Sequence, residues 1–254
     1  MTEPVALDRS AGTATITLSR PDDANSLDIA LAEAFRSAVA EADSDQALST
    51  LVIRGAGRFF CAGGDVAAIF AAADPTSYLR QLTDAFHEAL LRLSTTSLVV
   101  IAAVNGTVAG GGLGLLLNCD LSVSVPKASF VGAYGAIGLT PDCGVSALLP
   151  RAIGDSRARA VLLGGRVLDA VTAEAWGLIG EVAEADMFED RIEQLVAAAS
   201  IGSRAAHGET KRLLAASRTS GYAEQLADEG RTIAAASASE LSRSLIAGFL
   251  HQRK

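Results

Sequence analysis

The segment Ala103-Val104-Asn105-Gly106-Thr107-Val108-Ala109-Gly110-Gly111-Gly112-Leu113-Gly114 decides the fold of this chain. It joins an aliphatic strand pattern to a helical pattern and places a cluster of glycines where the two meet. Glycine costs about 1 kcal/mol relative to alanine inside a helix, so the cluster indicates that the backbone approaches a neighbour closely. Two interpretations remain open: the uncovered N–H groups bind a negatively charged oxygen, or the helix packs tightly on its own sheet.

Short strand patterns and amphipathic helix patterns alternate on both sides of this segment. Strands are predicted as a hairpin in residues 5–18 and as further strands in residues 48–53, 98–104, 121–125 and 129–131. Helices are predicted after a cap at Asp28, over residues 79–93, from the glycine cluster toward Asn118, and beyond Val145. Repeated strands separated by helices predict an α/β core.

The C-terminal part of the chain has a different pattern. Beyond about residue 190 no strand pattern remains, and residues 192–199, 209–216 and 222–249 are predicted as helices. No low-complexity linker separates this part from the rest. We therefore predict an α/β core over residues 1–190 and a helical region over residues 191–254 that packs on the core or on a neighbouring subunit.

Composition excludes several classes of function. The net charge of −8 and the aromatic content of 5% argue against a nucleic-acid-binding surface, because such surfaces neutralise phosphates and stack on bases. The longest aliphatic run, residues 98–104, is too short to cross a bilayer. The cysteines are Cys61, Cys119 and Cys143. They are odd in number and lack the paired spacing of a disulfide framework, which predicts a reducing, cytoplasmic location.

Other polar residues give no definite site. The histidines are His87, His207 and His251. They do not have the spacing of metal ligands, so no metal is predicted. Four arginines either form a solvated basic surface or meet a phosphorylated small molecule: Arg151, Arg157, Arg159 and Arg166.

A second glycine-rich turn follows a predicted buried strand: Gly55-Ala56-Gly57-Arg58-Phe59-Phe60-Cys61-Ala62-Gly63-Gly64-Asp65. The first glycine segment has neither the spacing of a dinucleotide fingerprint nor the lysine and hydroxyl of a P-loop. The two turns together resemble the crotonase superfamily, the enoyl-CoA hydratase/isomerase family. The resemblance begins near Leu18-Ser19-Arg20-Pro21, includes Ala173-Glu174-Ala175-Trp176-Gly177-Leu178-Ile179, and ends near Ala247-Gly248-Phe249.

This resemblance implies a spiral of repeated β-β-α turns with a helical C-terminal part, assembled as a homotrimer or a dimer of trimers. It implies that the backbone N–H groups of Gly64 and Gly111 bind the thioester oxygen of an acyl-CoA. It also implies substrate-binding positions at Leu27, Ala62, Asp65, Val66, Gly110, Tyr134 and Pro141. The CoA is then part of the substrate, and no separate cofactor is expected.

The chain departs from family hydratases at two positions. Where those enzymes carry the two glutamates that handle water, this sequence has Gly114 and Tyr134. It carries instead Pro141-Asp142-Cys143-Gly144, which resembles isomerase-type members such as the epoxyphenylacetyl-CoA isomerases. The sequence thus predicts an enoyl-CoA isomerase with Asp142 as acid and base.

Alternatives to this prediction stay open. The chain could be a hydratase with non-standard water activation, or an acyl-CoA-binding paralogue without catalytic activity. Asp142 could also simply cap the helix that begins near Gly144, and Cys143 is interpreted as a small buried residue.

Overall fold

The computed structural model describes residues 3–251, and its strands form two sheets. The larger sheet contains, in spatial order, β1 (Val5–Ser10), β2 (Thr13–Leu18), β3 (Thr50–Gly55), β5 (Val99–Val104), β7 (Leu121–Ser124) and β10 (Glu181–Val182). The smaller sheet contains β4 (Phe59–Cys61), β6 (Thr107–Ala109), β8 (Ser129–Val131) and β9 (Leu168–Asp169). Neighbouring strands are parallel except for the pairs β1–β2 and β8–β9.

The helices surround these sheets and then continue to the C-terminus. They are α1 (Ile29–Ser44), α2 (Val66–Ala71), α3 (Pro75–Thr95), α4 (Gly111–Leu117), α5 (Val145–Ile153), α6 (Asp155–Leu162), α7 (Ala170–Trp176), α8 (Phe188–Ala199), α9 (Arg204–Ala216), α10 (Tyr222–Ser237) and α11 (Glu240–His251). Within residues 3–251, no helix is both long and apolar enough to span a bilayer.

A repeated unit of two strands and a helix builds the core. The units β3–β4–α2, β5–β6–α4 and β7–β8–α5 each add one strand to the larger sheet, one to the smaller sheet, and then a helix. Parallel pairing within each sheet follows because each unit repeats the direction of the one before it. The predicted spiral of β-β-α turns is confirmed.

The N-terminal predictions are confirmed as well. The strands β1 and β2 pair from Val5–Leu18 to Ser10–Thr13 as an antiparallel hairpin. The carboxylate of Asp28 accepts a hydrogen bond from Leu31 N at 2.7 Å and caps α1. The apolar face of α1 is buried against α3, and its Phe35 ring lies 5.4 Å from the ring of Phe86.

Several features differ from the sequence prediction. The strands β4, β6, β9 and β10 were not predicted, because each has only two or three residues, too few for an alternating pattern to be visible. Residues 222–249, predicted as one helix, form α10 and α11. The Ser239 hydroxyl accepts a hydrogen bond from Ser242 N at 3.1 Å, so a serine cap starts a new helix where the apolar periodicity continues.

The helices after β10 attach to the core to different degrees. The helix α8 begins at Phe188, before the predicted boundary at residue 190. It packs on β5 and β7 and buries Phe188 and Ile192. The Arg204 guanidinium anchors α9 by donating to three main-chain carbonyls near the end of α1: Asp43, Asp45 and Leu48. By contrast, α10 and α11 bury no side chain among the described residues. The division at residue 190 stays a prediction.

Candidate active site

A cavity of about 500 Å³ lies between the two glycine-rich turns, α3 and the segment before α5. With one exception, Asp65, every predicted site residue lines it: Leu27, Ala62, Gly64, Val66, Gly110, Gly111, Tyr134, Pro141 and Asp142. A concave apolar cavity with a few polar groups is the usual form of a small-molecule site. The structure therefore brings the sequence candidates together in one place.

The two glycine-rich turns meet at Gly63. A Cβ atom at this position would lie 2.8 Å from the carbonyl oxygen of Ala109 and 3.1 Å from the nitrogen of Gly111. Gly63 also has a φ of +87°, a conformation that residues with a side chain rarely adopt. Close packing between the two turns thus accounts for the glycine at position 63.

The backbone N–H groups of Gly64 and Gly111 have no hydrogen-bond partner among residues 3–251. Gly111 is the first residue of α4, so its N–H has no acceptor within the helix. Gly64 pairs with Leu27 in an isolated bridge whose bonds run from Leu27 N to Gly63 O and from Asp65 N to Leu27 O. Both unpaired donors belong to residues that line the cavity, so both are available to an oxygen atom of a bound molecule.

Asp142 lies in the segment between β8 and α5 and is the only acid among the described residues that line the cavity. Its Oδ1 lies 2.7 Å from Nε2 of His87, which comes from α3. The two side chains are 36% and 43% exposed, respectively, so the pair is reachable from solvent in the free protein. The pair can therefore move protons or present a carboxylate to a substrate.

The capping role considered for Asp142 is wrong. The N-cap of α5 is Gly144, and no side chain forms a capping hydrogen bond there. Main-chain contacts hold the segment instead, because the Asp142 carbonyl accepts hydrogen bonds from Val145 N at 3.0 Å and from the Tyr134 hydroxyl at 3.3 Å. The carboxylate therefore does not serve as a helix cap.

The thiols near the cavity are protonated at neutral pH. Burial raises the pKa of Cys61 to about 12. Burial, together with the neighbouring Asp142 carboxylate, also raises the pKa of Cys143 far above its ordinary value. A buried, protonated thiol is a poor nucleophile.

Cys143 belongs to a cluster with metal-ligating potential. In the described part of the chain, His87, Asp142 and Cys143 have donor atoms within 4.8 Å of one another. Zinc binds the thiolate form of cysteine, which the raised pKa of Cys143 disfavours. The donor set fits zinc poorly, and metal independence remains a prediction.

Asp65 stabilises its own turn. Its carboxylate accepts a hydrogen bond from Ala68 N at 3.0 Å, which caps α2, and lies 3.0 Å from the Arg20 guanidinium. Its predicted role in binding CoA stays a prediction.

His87 is the site residue that the sequence analysis missed. The sequence analysis predicts a helix over residues 79–93, and three of its apolar residues line the cavity: Leu79, Leu82 and Phe86. The available signal was the polar residue His87 directly beside Phe86 in the periodic pattern.

The four arginines considered for phosphate binding lie outside the cavity lining. Arg157 and Arg166 stack on the ring of Trp176, with guanidinium carbons 4.9 Å and 4.6 Å from its centroid. Arg159 forms an ion pair with Asp155 at 2.7 Å. Three of the four therefore have partners within the chain.

Comparison with known proteins gives the family. The family model described as enoyl-CoA hydratase/isomerase matches residues 8–254. The chain is 36% identical to 1,2-epoxyphenylacetyl-CoA isomerase of Escherichia coli (strain K12) over 188 residues, covering 72% of this chain and 71% of the relative. It is 33% identical to 4-chlorobenzoyl coenzyme A dehalogenase-2 of an Arthrobacter species over 194 residues, covering 75% of this chain and 70% of the relative.

Solved structures agree with this. An enoyl-CoA hydratase/isomerase crystal structure from Mycobacterium abscessus superposes with a TM-score of 0.92 at 33% identity, covering 98% of this chain and 96% of that one. The names of the relatives divide among isomerase, hydratase and dehalogenase. The spiral of β-β-α units and the match of almost the whole chain lead to one conclusion: this protein belongs to the enoyl-CoA hydratase/isomerase family.

Proposed function

We propose that this protein is an isomerase that moves a double bond within an enoyl-CoA thioester. The observation that carries the proposal is that Asp142 supplies the one carboxylate among the described cavity-lining residues, beside the N–H groups of Gly64 and Gly111, which are unpaired within residues 3–251. A double-bond shift removes a proton from one carbon and returns a proton to another. One carboxylate is enough for this reaction, because no water is activated.

The two glycine amides stabilise the intermediate in this proposal. Asp142 takes a proton from C2 of a 3-enoyl-CoA, and the electrons of the broken C–H bond move toward the thioester oxygen. That oxygen then accepts hydrogen bonds from Gly64 N and Gly111 N, and the loss of one such donor typically costs about 3–4 kcal/mol of transition-state stabilisation. The protonated Asp142 next delivers a proton to C4, which gives the conjugated 2-enoyl-CoA and regenerates the carboxylate.

Hydration is the less favoured alternative because of Gly114 and Tyr134. A Cβ atom at Gly114 would lie 2.6 Å from the carbonyl oxygen of Cys143, so a glutamate there would require the Asp142–Cys143 segment to move. Tyr134 is buried, and burial raises the pKa of its hydroxyl well above the ordinary value. The hydroxyl therefore keeps its proton at neutral pH and does not serve as a base for activating water.

The deciding experiment compares the wild-type protein with Asp142→Asn on a 3-enoyl-CoA and on a 2-enoyl-CoA, with products identified by mass spectrometry. We expect the wild type to conjugate the 3-enoyl substrate and the variant to lose about 10²–10⁴-fold in rate. Hydration of the 2-enoyl substrate without isomerisation would favour the hydratase alternative. Binding of both substrates without turnover would favour a paralogue that only binds acyl-CoA.

A second candidate function is the hydrolytic removal of chloride from an aromatic acyl-CoA. It is favoured by the contact between His87 and Asp142 and by the relatives named 4-chlorobenzoyl coenzyme A dehalogenases. In this reaction an Asp142 oxygen attacks the ring carbon that bears chlorine, and chloride leaves with the electrons of the C–Cl bond. Water, deprotonated by His87, then cleaves the aryl ester at the Asp142 carbonyl, which restores the carboxylate and gives the hydroxylated ring.

Chloride release from 4-chlorobenzoyl-CoA tests the second candidate. A single turnover in water labelled with ¹⁸O places the label in Asp142 if the ester forms, and tryptic mass spectrometry detects it. If the protein isomerises a 3-enoyl-CoA but releases no chloride, the second candidate is contradicted and the isomerase function is retained.

We also propose that the protein assembles as a homotrimer or a dimer of trimers. The support is the C-terminal part, where α10 and α11 expose apolar side chains such as Ile233, Leu241 and Ile246. Burying such side chains between copies is favourable by about 25 cal/mol per Å² of apolar area. Native mass spectrometry measures the assembly, and a monomer at micromolar concentration would contradict the proposal.

A further inference from the structure

The two carboxylate oxygens of Asp142 have different surroundings. Oδ1 lies 2.7 Å from Nε2 of His87, and Oδ2 lies 3.4 Å from the thiol sulfur of Cys143. The first distance is that of a strong hydrogen bond, whereas a thiol is a weak donor. One oxygen is therefore firmly held, and the other is nearly free to accept a proton.

The main chain around Asp142 is held by its own contacts. Cys143 and Gly144 both have left-handed conformations, with φ of +55° and +77°. The Asp142 carbonyl is itself held by Val145 N and by the Tyr134 hydroxyl. With the main chain held, the remaining freedom is rotation of the side chain about its two torsions, and the His87 contact opposes both rotations.

His87 comes from a well-anchored part of α3. Its neighbour Phe86 is 1% exposed and packs on Phe35 of α1, while its other neighbour, Glu88, pairs with Arg36 of α1 at 3.2 Å. His87 is not among the residues that line the cavity. The imidazole thus reaches Asp142 from a backbone that two contacts fasten to α1.

We propose that His87 is a positioning residue that reserves one oxygen of Asp142 for the substrate proton. This inference rests on the proposed isomerase function. In the base form of Asp142 the carboxylate only accepts, so Nε2 of His87 donates to Oδ1. Oδ2 takes the proton from C2 of the substrate, keeps it while the intermediate exists, and returns it to C4, and the His87 proton is not transferred.

Retention of the proton follows from this geometry. The carboxyl group cannot exchange its two oxygens without breaking the bond to His87, and the bound acyl group covers the cavity side of Oδ2. If the imidazole is removed, the carboxyl group rotates and its proton meets water that enters the vacated space. The proton delivered to C4 then comes from the solvent rather than from C2.

The test follows a deuterium label through the reaction. A 3-enoyl-CoA with deuterium at C2 is converted in ordinary water by the wild type, His87→Ala and His87→Gln, and mass spectrometry measures deuterium at C4 of the product. Leu91→Ala is the matched control, because Leu91 lies one turn further along α3 and is 68% exposed. His87 is 43% exposed, so these substitutions leave the core intact.

We expect the wild type and Leu91→Ala to deliver most of the label to C4. His87→Ala should lose the label and about tenfold in kcat, the effect of losing a hydrogen bond to a charged group, with little change in KM. His87→Gln, whose amide can donate to the same oxygen, should recover most of the label. A merely structural role of His87 would lower activity without changing the fraction of label that is retained.

Equal retention by His87→Ala and the wild type would overturn the inference while leaving the isomerase function in place. Equal loss by the alanine and glutamine variants would overturn it as well, because the hydrogen bond would then not be the cause. Absence of isomerisation by the wild type would contradict the proposed function and this inference together.

Discussion

Gly114 illustrates how much a single residue determines in this site. Any side chain at this position would meet Cβ of Cys143 and lie within 2.6 Å of its carbonyl oxygen. The missing side chain therefore allows the segment with Asp142 to lie directly against α4. Gly114 stands at the position where family hydratases carry a glutamate, and its lack of a side chain leaves room for the segment that carries Asp142.

We predict that Gly114→Ala destabilises the protein, although alanine is the better helix former. Overpacking of this kind costs about 1–3 kcal/mol in the free energy of unfolding, which denaturant titration measures. Gly230→Ala is the matched control, because Gly230 lies within α10 and a Cβ there would meet no atom within 4 Å. The control should gain about 0.5–1 kcal/mol. Equal effects of the two substitutions would contradict the packing argument.

Asp65 gives a prediction about pH. Burial raises its pKa, but the hydrogen bond from Ala68 N and the Arg20 guanidinium outweigh burial, so the net pKa lies below the ordinary 3.8. The charged form is then favoured more in the folded state than in the unfolded state. Its stabilising effect is complete above pH 3.8 and disappears as the pH falls through the lower folded-state value.

We predict that Asp65→Asn lowers the free energy of unfolding by up to about 1 kcal/mol at pH 7, since asparagine keeps the cap and loses only the charge. The difference from the wild type should shrink as the pH falls below 3.8. Asp186→Asn, at an exposed carboxylate, serves as the control. A difference that stays constant from pH 7 to pH 3 would mean that the charge has no part in it.

Sequence reasoning found most of the candidate site because its residues lie in local motifs. The glycine turns and the Pro141–Cys143 motif are contiguous, so their spacing carries the information. His87 was missed because its partner, Asp142, lies 55 residues away, and only the packing of α3 brings them together. The roles of these residues in catalysis stay predictions.

At the level of elements, α3 has two functions on one surface. Its Phe86 packs on Phe35 of α1 and also lines the cavity, so the helix that completes the core also forms the wall of the site. Because Phe86 and His87 are neighbours, the packing of the first fixes the place of the second.

We predict that Phe86→Ala lowers the free energy of unfolding by about 3–5 kcal/mol, the usual cost of removing a buried phenylalanine ring. Thermal and denaturant unfolding measure the loss. Leu91→Ala on the same helix should change stability by less than about 0.5 kcal/mol, because Leu91 is largely exposed. A small effect at Phe86 would show that α3 adapts to the cavity and does not hold its position rigidly.

The elements themselves were predictable where their periodicity was long. The helix α3 has 21 residues and a clear apolar stripe, whereas β4 and β6 have three residues each and take their form from pairing in the smaller sheet. Pairing partners far apart in sequence leave no local pattern. The break between α10 and α11 was missed for the opposite reason, because one serine cap interrupts a continuous pattern.

At the level of the whole molecule, Arg204 joins the C-terminal helices to the core. It donates to the carbonyls of Asp43, Asp45 and Leu48 and to the hydroxyl of Ser97, and its side chain is only 14% exposed. Lys211 adds a second attachment through the carbonyls of Leu93 and Leu98. These contacts fix α9, and through it the base of α10.

We predict that Arg204→Met costs about 1–3 kcal/mol, because it leaves main-chain carbonyls near the end of α1 without a donor. Hydrogen–deuterium exchange should increase in α9 and at the end of α1, and change little in β3 and β5. Arg231→Met, at a side chain that is 70% exposed, is the control and should be neutral. Unchanged exchange in α9 would mean that apolar packing holds this helix.

The stacking of Arg157 and Arg166 on Trp176 has a practical consequence. Trp176 is the single tryptophan of the chain and is not among the residues that line the cavity, so its ultraviolet emission reports on α7 and its arginine neighbours. The fluorescence of Trp176 can therefore follow unfolding without a contribution from ligand binding in the cavity. Titration with an acyl-CoA therefore needs a probe other than this tryptophan.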